Sequence, residues 1–412
     1  MRCRHCDTEL TLPLIDLGSS PPSNAYLTEG TLHKLEKWYP LRVLVCEQCW
    51  LVQTEDFAQA DELFDENYAY FSSFSTSWLE HAEQYVENMH ERFSLNESSH
   101  VVEVAANDGY LLQYVRGRNI PCTGIEPTIS TATVACEKGI PIIKEFFSVI
   151  LAQKLVKQNK QADLTIANNV LAHVPNINDF TSGFSILLKP NGVATFEFPH
   201  LLKLINGNQF DTIYHEHFSY LSLIAVEAIF KKNGLQVFDV EEHKTHGGSL
   251  RIFAQRSDTG MYKITERVVE LRKHEMEAGI NSVNFYKNFQ VNVNRIKNDL
   301  LSFLIKAKKD EKKVIAYGAA AKGNTLLNYS GIRPDLLECV IDINPAKQGK
   351  YMPGSRIPIL SIEYLKKNTP DYILILPWNL ANEVYKQNYE LIKSGVEFVT
   401  AIPNLNKIKA IE

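Results

Sequence analysis

No uninterrupted run of about 18 apolar residues occurs in the 412-residue chain, so no stretch of it reads as a membrane span. An excess of charge of one sign is missing too. The chain carries 43 basic residues against 48 acidic ones, a net charge of -5, and this gives a nucleic-acid groove no global support. The start, "MRCRHCDTEL", lacks the apolar core of a secretion signal, and a cytoplasmic protein is expected. Cysteine is sparse: seven residues are too few for a disulfide scaffold at this length. What remains is an ordinary globular composition, 45% hydrophobic and 22% charged, in a chain long enough for two or three domains.

The cysteines that are present are grouped. Cys3-Arg-His-Cys6 and Cys46-Glu-Gln-Cys49 are two C-x-x-C knuckles, while Cys122, Cys136 and Cys339 are scattered. Each knuckle presents two thiolates from one tight turn, so together they supply the corners of a tetrahedron. One structural zinc on Cys3, Cys6, Cys46 and Cys49 is therefore expected. Four sulfur ligands close such a site, so the metal holds structure and performs no chemistry. Neither knuckle opens a helix in a thioredoxin-like pattern, which counts against redox dithiols. His5 is either a substitute ligand or a bystander in its turn, and a loop-rich insertion, "LGSSPPSNAYL", separates the knuckles.

From about residue 78, helix and strand patterns alternate. "WLEHAEQYVENMHERF" reads as an amphipathic helix, "HVVEVAA" as a buried strand, "GYLLQYVRGR" as a helix and "CTGIEP" as a second strand. Strands at "GIPIIKEFF", "ADLTIANNV" and "GVATFEFP" follow, and the alternation implies a parallel sheet covered on both faces. "LQVFDVEEH" and "SLRIFAQR", separated only by "KTHGG", suggest an antiparallel hairpin at one edge, the ending of an S-adenosylmethionine methyltransferase fold. Residues 258–312 read as two helices, and the alternation then resumes at "KVIAYGAAAKGNTLLNYS" as a second doubly wound unit. The expected architecture is a multidomain α/β chain. It has a zinc-binding amino-terminal domain (1–66), a class I, Rossmann-like methyltransferase domain with a reversed edge strand (67–257), a helical linker (258–312) and a carboxy-terminal Rossmann-like substrate-binding domain (313–412).

"EVAANDGY", Glu103 to Tyr110, stands where a first strand meets its first helix. A turn of small residues there lets backbone approach a ligand, with a helix amino terminus facing it. Glu126, roughly twenty residues on, ends the next strand, where a carboxylate accepts hydrogen bonds from ribose hydroxyls. Both features also fit a nicotinamide cofactor. The turn, however, lacks the glycines a pyrophosphate needs, since Ala105 stands in place of the first glycine and Gly109 alone remains, so adenosylmethionine is favoured. Glu103, Ala105, Asn107, Asp108, Gly109, Glu126, Pro127 and Asn168 are the expected cofactor contacts.

Six stretches occur in one order: "CRHC...LIDLGSSPPSNAYL...YPLRVLVCEQCWLVQ", "YAYFSSFS", "EVAANDGYLL", "YHEHFSYLS", "HGGSLR" and "YGAAAKGNTLLNY". From end to end the chain resembles the adenosylmethionine-dependent sugar 3-C-methyltransferases, which act on nucleotide-linked keto-deoxysugars in antibiotic and cell-surface polysaccharide pathways. The resemblance implies a last domain that closes over the substrate, binds no dinucleotide of its own and helps hold the nucleotide sugar. It places Tyr214, Glu216 and His217 in the active site, and Tyr68 matches the position of an active-site tyrosine. Methylation at C3 of a thymidine-linked 4-keto sugar is the family's commonest theme.

Methyl transfer to carbon needs a carbanion equivalent, which loss of the proton alpha to a ketone supplies as an enolate. His217 is the expected base, Tyr68 the acid for the enolate oxygen, with His173 sharing that role, and Glu216 and Tyr214 bind sugar hydroxyls or phosphate-side groups. Ser72, Asn169, Lys322 and Asn324 are expected substrate contacts. Taken singly, His217 reads as a satisfied core histidine, Tyr68 and Tyr70 as packing aromatics, and "HGGSLR" as a hairpin whose Arg251 caps a carboxylate; ordered co-occurrence favours the site. "HEH" is not the helical H-E-x-x-H, so no metal is expected there. Competing readings are a zinc-ribbon nucleic-acid methyltransferase, which predicts a basic channel, and an NAD-dependent nucleotide-sugar oxidoreductase using the last domain. A monomer suffices for this architecture.

Overall fold

A computed structural model describes residues 1–57 and 71–408. Near the amino terminus, β1 (Leu12–Ser20), β2 (Tyr39–Val45) and β3 (Val52–Thr54) pair antiparallel in that order. Their buried face, which includes Ile15, Val43 and Val52, packs on later parts of the chain and forms no separate core.

In the centre, β4 (Val101–Val104), β5 (Cys122–Ile125), β6 (Ile142–Ile143), β7 (Ala162–Asn168) and β8 (Leu188–Pro199) lie parallel in spatial order β6-β5-β4-β7-β8. The order reverses at β4 and β7, so their carboxyl ends open a crevice where open α/β sheets bind ligands. All four residues of β4 are buried, as a parallel strand covered on both faces requires. The helix Thr76–Phe93 covers one face through Ala82, Tyr85, Val86 and Met89; its start is capped by Ser75, whose hydroxyl accepts from the Trp78 amide.

The chain then leaves this sheet. β9 (Ser219–Tyr220) pairs antiparallel with β3, tying the central unit to the amino-terminal sheet. It returns as the expected hairpin, β10 (Leu235–His243) and β11 (Ser249–Arg256). Here β11, the later strand, runs antiparallel to β8 and lies inside, with β10 outside it.

Two long helices follow, Glu266–Ala278 and Phe289–Lys309, with a single helical turn, Val283–Tyr286, between them. The first sends Glu275 into the core, where its carboxylate accepts from the amides of Leu223 and Ile224 at the start of another helix and lies 2.7 Å from His200 Nε2. The second buries Phe289, Val293, Ile296, Leu300, Leu304 and Ala307, one face of a 3.6-residue repeat, in the core that the first sheet shares with the last domain. That domain has β12 (Val314–Tyr317), β13 (Val340–Ile341), β14 (Ile359–Leu360), β15 (Tyr372–Ile375) and β16 (Glu397–Thr400), parallel in order β14-β13-β12-β15-β16, with β17 (Asn406–Lys407) antiparallel at the edge. The insertion between the cysteine knuckles docks on it: Leu27 and Tyr351 exchange backbone hydrogen bonds of 3.0 and 2.8 Å, and the Tyr26 hydroxyl donates to the Ala319 carbonyl at 2.6 Å. Among the described residues no helix is long and apolar enough to cross a membrane.

Candidate active site

The four knuckle cysteines meet. Their sulfurs all lie within 4.8 Å of one another, with Cys3–Cys49, Cys6–Cys46 and Cys6–Cys49 at 3.6, 3.4 and 3.6 Å. A tetrahedron with metal–sulfur bonds of about 2.3 Å has edges of about 3.8 Å, so the cluster fits a zinc ion. The two knuckles are built alike: each is followed by a residue in left-handed conformation, Asp7 (φ 64°) and Trp50 (φ 59°), whose amide bonds back to the first cysteine's carbonyl. His5 faces away, its Nδ1 2.8 Å from Asn178 Oδ1, and is the bystander rather than a ligand.

A cavity of about 730 Å³ opens at the carboxyl ends of β4 and β7 and reaches the last domain. On one side lies the turn after β4. Ala105 (φ 59°) and Asn107 (φ 48°) both take the left-handed conformation, which lets a turn without its usual glycines fold as tightly. Glu126 closes it by accepting from the amides of Asn107 and Thr128, each at 2.9 Å, and Ala105, Asn107, Glu126, Pro127 and Asn168 line the cavity. Asn168 Oδ1 and Asn169 Oδ1 are buried there without hydrogen-bond partners among the described residues, acceptors that fit a polar ligand.

Glu103, Asp108 and Gly109, also expected as cofactor contacts, do not line the cavity. Glu103 lies buried in β4, where burial and then the Glu126 and Asp108 charges push its carboxyl well above the usual range. Asp108 turns the other way, toward the Ser73 amide and Lys138. Gly109 is there for space: a Cβ would sit 2.3 Å from Ile140 Cδ1.

The opposite wall comes from the segment Phe210–Ser222. It is pinned from three sides: the Thr54 hydroxyl donates to the His217 carbonyl at 3.2 Å, the Phe218 amide to the Ala172 carbonyl at 2.8 Å, and the Thr325 hydroxyl to the Ile213 carbonyl at 2.8 Å. His217 and His173 both reach the cavity and meet edge to face, ring centres 4.6 Å apart, with Tyr214 4.0 Å from His217. The Thr212 carbonyl, 2.6 Å from His217 Nδ1, only accepts, so the proton sits on Nδ1 and Nε2 keeps its lone pair. Burial, then the neighbouring His173, holds the His217 pKa well below the ordinary imidazole value, and burial lowers that of His173 to about 4. Glu216 accepts at both oxygens from Asn24 Nδ2, at 2.7 and 2.9 Å, so the amino-terminal insertion completes this wall. His215 points away, its Nε2 3.2 Å from the Pro40 carbonyl.

The last domain contributes Ala320, Ala321, Lys322 and Lys347. Lys322 Nζ donates to Asn379 Oδ1 at 2.9 Å and stands 5.0 Å over the Trp378 ring; Trp378 Nε1 in turn donates to the buried Asp211 at 2.8 Å. Asn324 is not on the cavity: its amide donates to the Ser23 carbonyl and joins the last domain to the first. Ser72 and Asn169 line the cavity, and the Asn169 amide lies 3.2 Å from His246 Nε2. Tyr68 and Tyr70 lie outside the described residues.

Asn24, Trp78, His246 and Lys347 line the cavity without having been expected there. Asn24 and His246 had a signal, their places in "LIDLGSSPPSNAYL" and "HGGSLR", and at His246 a left-handed backbone (φ 53°) next to Gly247 turns the ring inward. Arg251 does pair with a carboxylate, at 2.7 Å from Glu197. Burial opposes the Glu197 charge, but His81 and Arg251 hold its carboxyl at about 2.

Residues 3–64 match a zinc binding domain, 78–240 a methyltransferase domain and 244–403 a C-methyltransferase C-terminal domain. The chain is 33% identical over 408 residues to C-methyltransferase NovU of Streptomyces niveus, covering 99% of this chain and 97% of that protein. The chain belongs to this C-methyltransferase family. It is an adenosylmethionine-dependent enzyme with a zinc-binding cysteine cluster. Likeness to solved structures is weaker. Magnesium protoporphyrin IX methyltransferase from Synechocystis PCC 6803 is 15% identical, with a TM-score of 0.34, over 43% of this chain and 79% of that one. The PH0226 protein of Pyrococcus horikoshii OT3 is 16% identical, with a TM-score of 0.37, over 46% and 95%.

Proposed function

We propose that the enzyme methylates the carbon next to a ketone in a nucleotide-linked deoxysugar, by default C3 of a thymidine-linked 4-keto sugar. One observation carries this reading: a single cavity joins the donor-type turn at Glu126 to a half-buried histidine whose Nε2 has no hydrogen-bond partner among the described residues, and to two lysines of the last domain. Bound adenosylmethionine supplies an electrophilic sulfonium methyl. Glu126 and the Asn107 turn would hold its ribose side, with Asn168 as a further acceptor, and the four cysteines would hold the zinc.

His217 Nε2 removes the alpha proton, and the Thr212 carbonyl fixes the tautomer that makes this possible. The Glu216 carboxylate, oriented by Asn24, and the Tyr214 phenol grip sugar hydroxyls. His173, on the cavity wall, serves the enolate oxygen as a neutral donor, and Tyr68, outside the described residues, keeps its role as acid there on the family resemblance alone. Lys322 and Lys347 counter the charge of the nucleotide's diphosphate.

The test is incubation in heavy water with nucleotide keto-sugars. Exchange of the alpha proton is expected without the methyl donor, and His217→Asn should slow it by about 10² or more. Exchange at the native rate in that variant removes His217 as the base; methylation of RNA with no keto-sugar methylated removes the reading.

A further inference from the structure

The first cysteine knuckle reaches further than its metal site. Arg4 lies between Cys3 and Cys6, and only 4% of its side chain is exposed. Its guanidinium donates to the Thr54 carbonyl at 2.9 Å and to the Pro175 carbonyl at 3.2 Å, is held by Asp56 at 2.8 Å, and stands 5.4 Å over the Phe218 ring. Pro175 follows His173 by two residues, Phe218 follows His217 directly, and Thr54 carries the hydroxyl bonded to the His217 carbonyl. One side chain therefore touches both loops that present the cavity histidines.

The backbone around it is locked to the knuckle. The Arg4 amide donates to Gln53 Oε1 at 2.9 Å, while the fully buried Gln53 side chain donates from Nε2 to Cys3 Sγ at 3.3 Å. Asn178, in the helix after the His173 loop, donates to the carbonyls of Arg4 and His5. A planar fork that satisfies separate carbonyls from one rigid group is a task lysine cannot copy.

We infer that Arg4 is a positioning residue that ties the zinc knuckle to the His173 and His217 loops, so that the metal site sets the geometry of the proton-transfer pair. This rests on the reading of His217 as the base. Arg4 does not line the cavity; its effect runs through the two loops.

The test compares Arg4→Gln and Arg4→Lys with the native enzyme by zinc content, donor affinity and steady-state kinetics across pH. Arg4→Gln should keep one zinc per chain, donor affinity and KM, but lose about tenfold or more in kcat, the order expected when reacting groups are misplaced. Its acid limb should move to higher pH as the loosened imidazoles hydrate, and Arg4→Lys should fall between it and the native enzyme. Native kcat and pH profile in a zinc-loaded Arg4→Gln, or in Arg4→Lys, would overturn the inference. Hydrogen–deuterium exchange on the native protein before and after zinc release needs neither variant nor substrate. The loops at 172–178 and 214–221 should lose protection together, and retained protection in either one overturns the coupling even if the sugar reading stands.

Discussion

His217, His173 and His246 are half-buried imidazoles on the cavity wall, kept neutral by their surroundings. Burial first, then Lys322, lowers the pKa of His246 to about 4. Because an unfolded imidazole titrates near about 6.5, the folded and unfolded forms are equally neutral above that pH. Below it the unfolded chain takes up a proton that the folded one refuses, so stability is lost as pH falls from about 6.5 toward 4. Asp211, raised by burial to about 6, acts in the opposite sense, gaining its proton in the folded state first. The contribution of one imidazole is therefore best isolated as a difference. Replacing His246 with Gln should shift the stability gap in the variant's favour across that interval by less than about 1.4 kcal/mol per pH unit, measured by urea unfolding at several pH values. A gap independent of pH would mean that His246 titrates normally.

At the scale of elements, the proposed donor site rests on the turn after β4. Gly109 has φ 75° and no room for a methyl group against Ile140 and Ala135, whereas Ala105 tolerates its left-handed conformation at a cost of about 1 kcal/mol. Gly109→Ala is expected to destabilise by about 1–3 kcal/mol and to weaken the donor, while Ala105→Gly should leave donor affinity intact. Unfolding curves and donor titrations check both. Where residues sit on these elements was legible from period alone. The alternation of strand and helix and the cysteine knuckles both depend on neighbours in sequence. The inside position of β11 was not legible, since a hairpin pattern is the same whichever of its strands meets β8.

For the whole molecule, the decisive feature is that the cavity has three walls from three parts of the chain. Asp211 in the central part, accepting from Trp378 in the last domain, is one seam between them. Trp378→Phe leaves that buried carboxylate without its donor and loosens the wall carrying Lys322. The expected result is a KM for the proposed sugar substrate raised by about tenfold, with donor affinity unchanged. An equal loss of donor affinity would show that the seam supports the whole cavity rather than one wall.

By itself the sequence determined the chemistry on offer: four thiolates in two knuckles, a strand–turn–helix with an acid on the next strand, and a phenol, two imidazoles and a carboxylate in "YHEH". Such patterns are local, so periodicity and spacing reveal them. Tertiary structure decided which of these groups share a cavity. His217 faces in and His215 out, because β9 joins β3 and fixes the rotation of that segment. Asn24 and Lys347 enter from loops about 190 and 130 residues away from Glu216 and His217, and no spacing rule reports contacts that only packing between separate units creates.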